Sequence, residues 1–407
     1  MERITFLFFF TLISIFFDIY FYQIVKKYNK IKWIKFLIPI YWSFTIITIT
    51  NFFLYTFQFE LGYYYKTITF NIIIGNFISK VLSLPFILID DLRRLIIYIF
   101  RKKSSKSSNK ISRSKFLSIS ASLAYGLPIT SLTYGILSNN VYDYRIKRRE
   151  IELKKLPVAF DGIKVCHISD IHVGSLRNRI AVRGGIDMIT SEKPDAIFFT
   201  GDLVNDKAKE LIGWGDDLSK IKAPLGVFSV LGNHDYGEYT SWGNESSKTK
   251  NFNDLLSAQK EFGWNLLRNE NTKISIDGES INIIGVENWS ASRRFQQYGK
   301  LDVAYDGLNK NEFKLLMSHN PSHWNAHVTS NFKDIDLTLS GHTHGLQYGI
   351  DIGKFRLSPV RLAYKQWADL YTMNNQHIYV NRGFGFMGYP GRVGILPEIT
   401  ILTLKRS

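Results

Sequence analysis

The sequence predicts an N-terminal helical membrane segment of about four transmembrane helices, followed by an α/β domain. Up to about residue 140, the 407-residue chain is dominated by long runs of Phe, Ile, Leu and Tyr. Beyond Val158 short apolar stretches that end in polar residues alternate with helical patterns. The positive charge is concentrated in the first part of the chain. Residues 1–150 carry 21 Lys and Arg and 7 Asp and Glu, whereas residues 151–407 carry 30 Lys and Arg and 28 Asp and Glu. These boundaries predict a membrane domain over residues 1–140, a basic linker over 141–157 and a second domain over 158–407.

Four apolar segments are long enough to cross a hydrocarbon core of about 30 Å, which takes roughly 20 helical residues. They cover residues 4–25, 33–57, 67–89 and 116–137. Asp18 lies inside the first of these segments and Lys80 inside the third. Either the two form a pair within the membrane, or each lies near a helix end and extends its charge to the interface. The second interpretation is the one favoured by the sequence.

The loops between the segments indicate an orientation. Residues 26–35 contain five lysines, and residues 101–115 contain seven basic residues and no acidic one. Positive charge collects on the cytoplasmic side, so four crossings place both termini and the second domain on the outer face. Residues 145–155, with six basic and two acidic residues, oppose this orientation. Bases that flank apolar runs indicate topology and contact with anionic lipid, so the membrane bilayer is an expected partner and nucleic acid is not.

From residue 163 onward the chain repeats one pattern, in which an apolar strand is followed by polar residues at its C-terminal end. The polar sets are Asp170-Ile171-His172, Gly201-Asp202, Gly232-Asn233-His234-Asp235, His319-Asn320 and Gly341-His342-Thr343-His344. Helical patterns over residues 180–190 and 211–221 lie between the early strands. Ligands of open α/β sheets gather at the carboxyl ends of strands, so the polar sets are expected to meet in one place.

The collected side chains predict a metal site. Two carboxylates, one amide and four imidazoles suit Mn, Fe or Zn, and the single cysteine, Cys166, excludes a thiolate cluster. Seven ligands exceed the needs of one ion that keeps a reactive water, whereas two divalent ions about 3.5–4 Å apart would use them all. The predicted ligands are Asp170, His172, Asp202, Asn233, His319, His342 and His344.

The stretch Gly-His-Thr-His-Gly at residues 341–345 raises a geometric problem. Alternate residues of an extended segment point to opposite sides. A bend is therefore needed if His342 and His344 are to reach neighbouring ions. The flanking Gly341 and Gly345 are expected to permit the bend and a close approach of the backbone.

The motifs D-x-H, G-D, G-N-H-D, S-H and G-H-T-H, in this order, resemble the calcineurin-like metallophosphoesterase superfamily over residues 156–404. The ending "NRGFG…PEITILTL" is similar to that of its membrane-anchored bacterial branch. The resemblance implies two β-sheets sandwiched between helices and a dinuclear centre. It assigns Asp170, His172 and His344 to one metal and Asn233, His319 and His342 to the other, with Asp202 bridging. It makes His234 the catalytic histidine, and it implies a location in the bacterial cytoplasmic membrane.

The chain departs from the phosphoprotein-phosphatase version of the pattern. In "GDLVND", Asn205 stands where an Asp is expected and Asp206 where an Arg that holds phosphate would be. A phosphoprotein substrate is therefore disfavoured. The expected substrate is a phosphorylated small molecule or lipid, such as a phospholipid or a nucleotide-linked lipid.

Two other functions stay open. A membrane receptor or scaffold could retain the metal site without turnover, and the first 140 residues could form a small transporter. Loss of a predicted ligand would favour the scaffold, and each of the seven is present.

For several further residues the sequence predicts a structural role and not a direct part in the metal site. Asp235 is expected to brace its turn, and the other histidines are expected to be core or surface residues: His167, His323, His327 and His377. Aromatic residues such as Tyr236, Trp242, Trp289 and Tyr364 could shape a pocket, but scattered aromatic residues are more often part of core or surface packing. The glycine-rich "RGFGFMGYPGR" is expected to form a turn near the metal cleft.

Overall fold

The computed structural model describes residues 2–27, 32–57, 63–100, 113–353 and 355–407. The chain divides into two compact units, Met1–Leu137 and Ser138–Ser407. Residues 28–31 and 101–112, which carry much of the charge on which the predicted orientation depends, lie outside the described residues, so the orientation stays a prediction.

The first unit consists of long helices, and each of the four predicted segments falls within one. They are α1 (Glu2–Lys27), α2 (Lys32–Thr56), α3 (Tyr63–Ile99) and α4 (Arg113–Leu137). Within the described residues, Asn71–Ile99 and Lys115–Leu137 are long and apolar enough to cross a membrane. Thr11–Tyr22 and Ile38–Leu54 are shorter apolar stretches. Helix α3 continues ten residues beyond the predicted segment, through Asp90 and Arg94, which form an ion pair one turn apart.

The interpretation favoured for Asp18 and Lys80 is wrong. The two side chains form an ion pair between α1 and α3, with 1% and 11% of their areas exposed. The hydroxyl of Tyr41 donates to the Asp18 carboxylate at 3.1 Å. Both residues lie in the middle of their helices, too far from either end to reach an interface, so pairing satisfies the two charges instead.

The second unit alternates strands and short helices. Its strands are β1 (Arg145–Leu153), β2 (Lys164–Ile168), β3 (Ala196–Phe199), β4 (Val227–Ser229), β5 (Asn265–Leu266), β6 (Glu270–Ile276), β7 (Glu279–Gly285), β8 (Lys314–Met317), β9 (Leu337–Ser340), β10 (Ile350–Ile352), β11 (Phe355–Leu357), β12 (Asp369–Met373), β13 (Gln376–Val380) and β14 (Glu398–Arg406). Its α-helices are α5 (Arg179–Ser191), α6 (Gly215–Leu218), α7 (Glu245–Glu261), α8 (Leu301–Tyr305) and α9 (Thr329–Asn331).

Two six-stranded mixed sheets form the centre of this unit. The first has the order β1-β14-β2-β3-β4-β5, and the second has the order β12-β13-β9-β8-β7-β6. Strands β2, β3 and β4 run parallel, and so do β7, β8, β9 and β13. Strands β10 and β11 form a separate antiparallel pair.

Alternation of side chains along the strands builds the layers. In β3, Ala196 and Phe198 join the apolar core between the two sheets, whereas Ile197 and Phe199 face a second core that contains α5 and α7. A third core packs α8 and Trp324 on the outer face of the second sheet. The predicted arrangement of two sheets sandwiched between helices is confirmed.

Two segments differ from the sequence-based expectation. The stretch 141–157, expected to be a basic linker, contains β1, which pairs in parallel with β14 at the edge of the first sheet. Six of the nine residues of β1 are charged and only Ile151 and Leu153 are buried, so its sequence gives a weak strand signal. The helix expected over 211–221 is reduced to the single turn α6, after Gly213 adopts a φ of 85°.

Candidate metal centre

The carboxyl ends of five strands supply the predicted ligands. Asp170, Asp202 and Asn233 follow β2, β3 and β4 of the first sheet, and His319 and His342 follow β8 and β9 of the second. The two sheets are joined here, because Nδ1 of His319 lies 2.7 Å from the carbonyl oxygen of Thr200. The backbone N–H of His342 donates to the Asp170 carboxylate at 3.0 Å.

The structure gathers six of the predicted ligands into two groups, each of which could hold a metal ion. Asp170, His172 and His344 form the first group, and their potential ligand atoms lie within 4.8 Å of one another. Asp202, His319 and His342 form the second group by the same measure. All of these side chains are buried except that of His342, which is partly exposed.

Asp202 connects the two groups. Its Oδ2 lies 3.1 Å from Nε2 of His319, in the second group, and 3.6 Å from Nε2 of His172, in the first. Its other oxygen, Oδ1, accepts the backbone N–H of His234 at 2.8 Å. One carboxylate oxygen therefore lies between the two sets of imidazoles, where a bridging ligand would be required.

Unpaired buried atoms test whether these residues fit metal ions. Both ring nitrogens of His172 and Oδ1 of Asn233 are buried without a hydrogen-bond partner. Buried polar atoms normally have partners, so orphaned ones call for a ligand. The amide nitrogen of Asn233 donates to the hydroxyl of Tyr239 at 3.0 Å, which fixes the amide so that its oxygen stays available. The donor set of imidazoles, carboxylates and an amide oxygen therefore fits divalent transition ions.

The electrostatics favour positive charge between the ligands. Burial raises the pKa values of Asp170 and Asp202, but the neighbouring His344 and His319, respectively, outweigh burial and hold both pKa values low. Burial lowers the pKa of His172 and of His342 to about 3, so at neutral pH both rings offer a free lone pair. Burial also acts to lower the pKa of His319, yet the Asp202 carboxylate raises it to about 9.

Hydrogen bonds orient two of the imidazoles. Because only an N–H can donate to the Thr200 carbonyl, Nδ1 of His319 carries the hydrogen and Nε2 faces Asp202. Nε2 of His342 lies 2.8 Å from the hydroxyl oxygen of Tyr364, which leaves Nδ1 facing His319. Fixing the second nitrogen of a ligating histidine in this way sets its tautomer.

The bend in residues 341–345 is made mainly by the histidines. His342 and His344 have φ values of 71° and 49°, in the left-handed region. Gly345 contributes with a φ of 55°, as expected. Gly341 acts differently, because it has no positive φ and a Cβ there would lie 2.2 Å from Oδ2 of Asp170. Gly341 thus provides space and not conformational freedom.

His234 lies beside the first group, and a backbone carbonyl group holds its ring in place. Its ring centroid is 5.1 Å from that of His172, and Nδ1 lies 2.7 Å from the carbonyl oxygen of Asn205. Nδ1 therefore donates to this carbonyl oxygen. Asp235 braces the turn as expected, since its carboxylate accepts the backbone N–H groups of Asp202, Leu203 and Gly232 at 2.8–2.9 Å.

The glycine-rich segment near the C-terminus packs against the centre, as expected. A Cβ at Gly383 would lie 2.9 Å from Nδ1 of His344 and 3.1 Å from Cβ of Asp170. The fully buried Arg392 holds this segment by donating to the carbonyl oxygens of Arg382 and Gly385 at 2.9 and 2.6 Å. The close packing leaves no room for a side chain at position 383.

Three aromatic residues touch the centre, and the sequence analysis named only Tyr364 among them. The ring of Tyr239 lies 4.6 Å from that of His234, the ring of Phe295 lies 4.9 Å from that of His342, and Tyr364 bonds to His342. Of the two interpretations of Tyr364, the contact with His342 supports the one in which it helps to shape the site. No local pattern marks Tyr239 or Phe295. Phe295 comes from a loop distant in sequence from His342, and Tyr239 reaches His234 across a turn.

The remaining histidines have partners away from the predicted ligands. Nε2 of His167 lies 2.9 Å from the Thr200 hydroxyl, and Nδ1 of His323 lies 2.9 Å from that of Ser318. His327 contacts His323, and His377 contacts Thr372.

Comparisons with known proteins cover both units. Residues 2–140 match the family described as "Probable Calcineurin-like phosphoesterase, transmembrane domain", and residues 163–346 match "Calcineurin-like phosphoesterase". The chain is 31% identical over 305 residues to "Uncharacterized metallophosphoesterase YkuE" of Bacillus subtilis (strain 168), covering 73% of this chain and 99% of that protein.

Two further relatives match about two thirds of this chain. "Transmembrane protein with metallophosphoesterase domain" of Danio rerio is 27% identical over 67% of this chain and 60% of its own length. "Uncharacterized metallophosphoesterase YkoQ" of Bacillus subtilis (strain 168) is 28% identical over 65% of this chain and 91% of its own length. The family matches and the gathered Asp and His side chains lead to one conclusion. The chain belongs to the calcineurin-like metallophosphoesterases, which are metal-dependent phosphoester hydrolases, and it carries a transmembrane domain ahead of the phosphoesterase domain.

Proposed function

We propose that the protein is a membrane-anchored phosphohydrolase that uses two divalent metal ions, Mn, Fe or Zn, to cleave a phosphoester or pyrophosphate bond. The observation that carries this proposal is the position of Asp202 Oδ2, 3.1 Å from His319 Nε2 and 3.6 Å from His172 Nε2. A single carboxylate oxygen placed between two imidazole groups is what a pair of ions about 3.5–4 Å apart requires.

Each predicted ligand has a role in this proposal. Asp170, His172 and His344 hold one ion, and Asn233, His319 and His342 hold the other, with Asp202 shared. When bound, the two ions would supply Lewis-acid activation of a water molecule and would neutralise charge on the phosphoryl oxygens. The ligand geometry is maintained by the Thr200 carbonyl behind His319 and by the Tyr364 hydroxyl behind His342.

His234 is the proposed catalytic residue. Its Nδ1–H donates to the carbonyl oxygen of Asn205, which holds the ring in one orientation beside His172. Nε2 can then give a proton to the departing oxygen of the substrate. Histidine exchanges protons near neutral pH, and such proton transfer contributes about 10²–10⁴-fold to rates.

We further propose that the substrate is an amphipathic phosphoester or pyrophosphate, such as a phospholipid or a nucleotide-linked lipid. The proposal is supported by the transmembrane domain, which confines the enzyme to the bilayer where such molecules reside. The location proposed is the bacterial cytoplasmic membrane, with the catalytic domain on the outer face. A comparison of lipid extracts from cells with and without active protein tests this, since a phosphorylated lipid should accumulate only when activity is lost. Identical extracts would argue against a lipid substrate.

Hydrolysis of bis-p-nitrophenyl phosphate with Mn²⁺ tests the reaction itself. Asp202→Ala should lose both bound metal and turnover, whereas His234→Asn should keep the metal and lose turnover by at least about 10²-fold. His377→Asn is the control, because this half-buried histidine contacts Thr372 and none of the predicted ligands. Equal rates for the wild type and a folded Asp202→Ala variant would leave the receptor or scaffold as the better interpretation.

A further inference from the structure

The loop of residues 288–299, between β7 and α8, contacts the candidate metal centre through Phe295. The fully buried Asn288 holds it closed, because the carbonyl of Asn288 accepts the backbone N–H groups of Tyr298 and Gly299 at 2.9 Å. The Asn288 amide also donates to the carbonyl of Gln296 at 2.8 Å. The loop is therefore a defined structure despite its exposed surface.

A tight turn forms the tip of this loop. The backbone N–H of Phe295 donates to the carbonyl of Ser292 at 3.2 Å, so Arg293 and Arg294 are the two central residues of the turn. Both arginines are exposed. The ring of Phe295 lies edge-on to the ring of His342, with 4.9 Å between centroids. This contact fixes the turn at the edge of the second ligand group.

The guanidinium of Arg294 lies on the ring that contacts the centre. Its Cζ is 5.9 Å from the centroid of the Phe295 ring, and that ring is the one in contact with His342. The guanidinium therefore lies near the second ligand group, at the exposed edge of the site.

Arg294 is also free of a competing carboxylate. Within the part of the chain that the structure describes, Arg294 forms no ion pair. By contrast, Arg268, between β5 and β6, pairs with Glu287 at 3.0 Å. The carboxylates of Asp170 and Asp202 belong to the two ligand groups of the centre. An unpaired cation at the rim of a site lined by carboxylates is placed to attract an anion.

We propose that Arg294 binds a phosphoryl oxygen of the substrate and thereby sets the affinity of the site for the anionic part of that substrate. This inference rests on the proposed function. The planar guanidinium donates two parallel hydrogen bonds to a phosphate, which a lysine cannot reproduce. Because the contact is made at the rim and not at the reacting atoms, it strengthens binding of substrate and transition state alike, and its loss raises KM more than it lowers kcat.

Kinetics of the full-length protein in detergent with Mn²⁺ test the proposal. Arg294→Met should raise KM for bis-p-nitrophenyl phosphate about tenfold or more, as expected for a hydrogen bond to a charged group, with kcat changed by less than about threefold. The inhibition constant of inorganic phosphate should rise in parallel, and Arg294→Lys should recover only part of the affinity. Arg293→Met is the matched control, since it removes the neighbouring exposed arginine of the same turn and should behave as the wild type.

Two results would overturn the proposal: an Arg294→Met variant with the KM and phosphate inhibition of Arg293→Met, or one in which kcat alone falls. Absence of Mn²⁺-dependent turnover in the wild type would instead count against the proposed function. In that event, calorimetric titration of the Mn²⁺-loaded protein with inorganic phosphate decides the role of Arg294 separately, because Arg294→Met should bind phosphate about tenfold more weakly than Arg293→Met.

Discussion

Five of the seven predicted ligand residues have a backbone conformation that non-glycine residues rarely adopt. The φ values are 53° for Asp170, 47° for His172, 60° for Asp202, 71° for His342 and 49° for His344. Each such residue costs of order 1–3 kcal/mol unless its surroundings enforce it. Here hydrogen bonds enforce it, including those from the backbone N–H of Asp170 to Gly201 and of His172 to Asp202. Strain gathered at one set of side chains is consistent with a functional site.

Replacement of Gly383 by alanine should weaken metal binding. A Cβ at this position would meet Nδ1 of His344 at 2.9 Å and Cβ of Asp170 at 3.1 Å, so both predicted ligands must move. We expect the affinity for Mn²⁺ to fall about tenfold or more, as for other changes that displace ligand supports. Equilibrium dialysis followed by elemental analysis measures this.

Gly388→Ala is the matched control for this prediction. Gly388 has a φ of 71°, comparable with 85° at Gly383, but a Cβ there would meet no atom within 4 Å. Both variants carry a similar backbone penalty of about 1–2 kcal/mol, and only one crowds the ligands. Equal Mn²⁺ affinities in the two variants would contradict the predicted ligand positions.

At the scale of elements, a cluster of charged residues connects the edge strand β1 to β12. Arg149 donates to Asp369, at the start of β12, through Nε at 3.0 Å and through Nη2 at 2.8 Å. Arg356 of β11 lies 2.9 Å from the same carboxylate. Burial acts to raise the pKa of Asp369, but the hydrogen bond from Arg149 and the charge of Arg356 outweigh burial and hold the pKa below its ordinary value.

The sign of this shift gives a pH-dependent prediction. Because the folded-state pKa of Asp369 lies below the unfolded value of about 3.9, its contribution to stability is complete above that pH and is lost as the pH falls further. Arg149→Met should therefore lower the free energy of unfolding by about 1–2 kcal/mol at pH 7, with a smaller loss at pH 3. Urea unfolding followed by tryptophan fluorescence measures this, since six of the eight tryptophans lie after residue 138.

Arg148→Met provides the comparison on the same strand. The side chain of Arg148 is 63% exposed and pairs with Glu192, the residue that follows α5, and exposed pairs contribute little. It should change the free energy of unfolding by less than about 1 kcal/mol. A loss for Arg149→Met that is equal at both pH values would show that the Asp369 carboxylate is not the group involved.

The ion pair between α1 and α3 gives a second prediction for elements. Asp18→Leu or Lys80→Met alone should destabilise the first unit by about 3–5 kcal/mol, because each leaves one buried charge without its partner. The double variant should be more stable than either single variant, since it removes both charges together. Apparent melting temperatures of the purified protein in detergent measure the three changes. Additive losses would show that the two residues act independently.

At the scale of the whole molecule, the predicted orientation can be tested with the chain's single cysteine left in place. Cys166 is fully buried, and burial raises the pKa of its thiol, so it should not react. A Ser246→Cys variant places a thiol at an exposed position of α7. A membrane-impermeant maleimide added to spheroplasts should label this variant if the catalytic domain lies on the outer face.

The control for this experiment is Ser107→Cys, in the basic stretch of residues 101–115 that the positive-charge rule predicts to be cytoplasmic. It should be labelled only after the membrane is permeabilised. The reverse pattern, with Ser107→Cys labelled in spheroplasts and Ser246→Cys protected, would place the catalytic domain in the cytoplasm.

Much of the architecture follows from patterns within short stretches of sequence. Apolar runs of about 20 residues specify membrane helices wherever the rest of the chain lies, and the four predicted segments fall in α1 to α4. The polar sets after β2, β3 and β4 could be placed together, as could those after β8 and β9, because parallel strands of one sheet end at a common edge. Local order and spacing are sufficient for these predictions, whereas the meeting of the two sheets at the metal centre depends on contacts between distant residues, such as that of His319 with Thr200.

Other features depend on partners that no local pattern reveals. Strand β1 forms because its backbone pairs with β14, some 250 residues away, and its polar side chains leave no signal of that pairing. The same holds for the ion pair of Asp18 with Lys80 and for the contacts of Phe295 and Tyr364 with His342. The short-range pattern therefore sets the elements and the ligand chemistry, whereas the close approach of distant segments decides which charges pair and which side chains form the rim of the site.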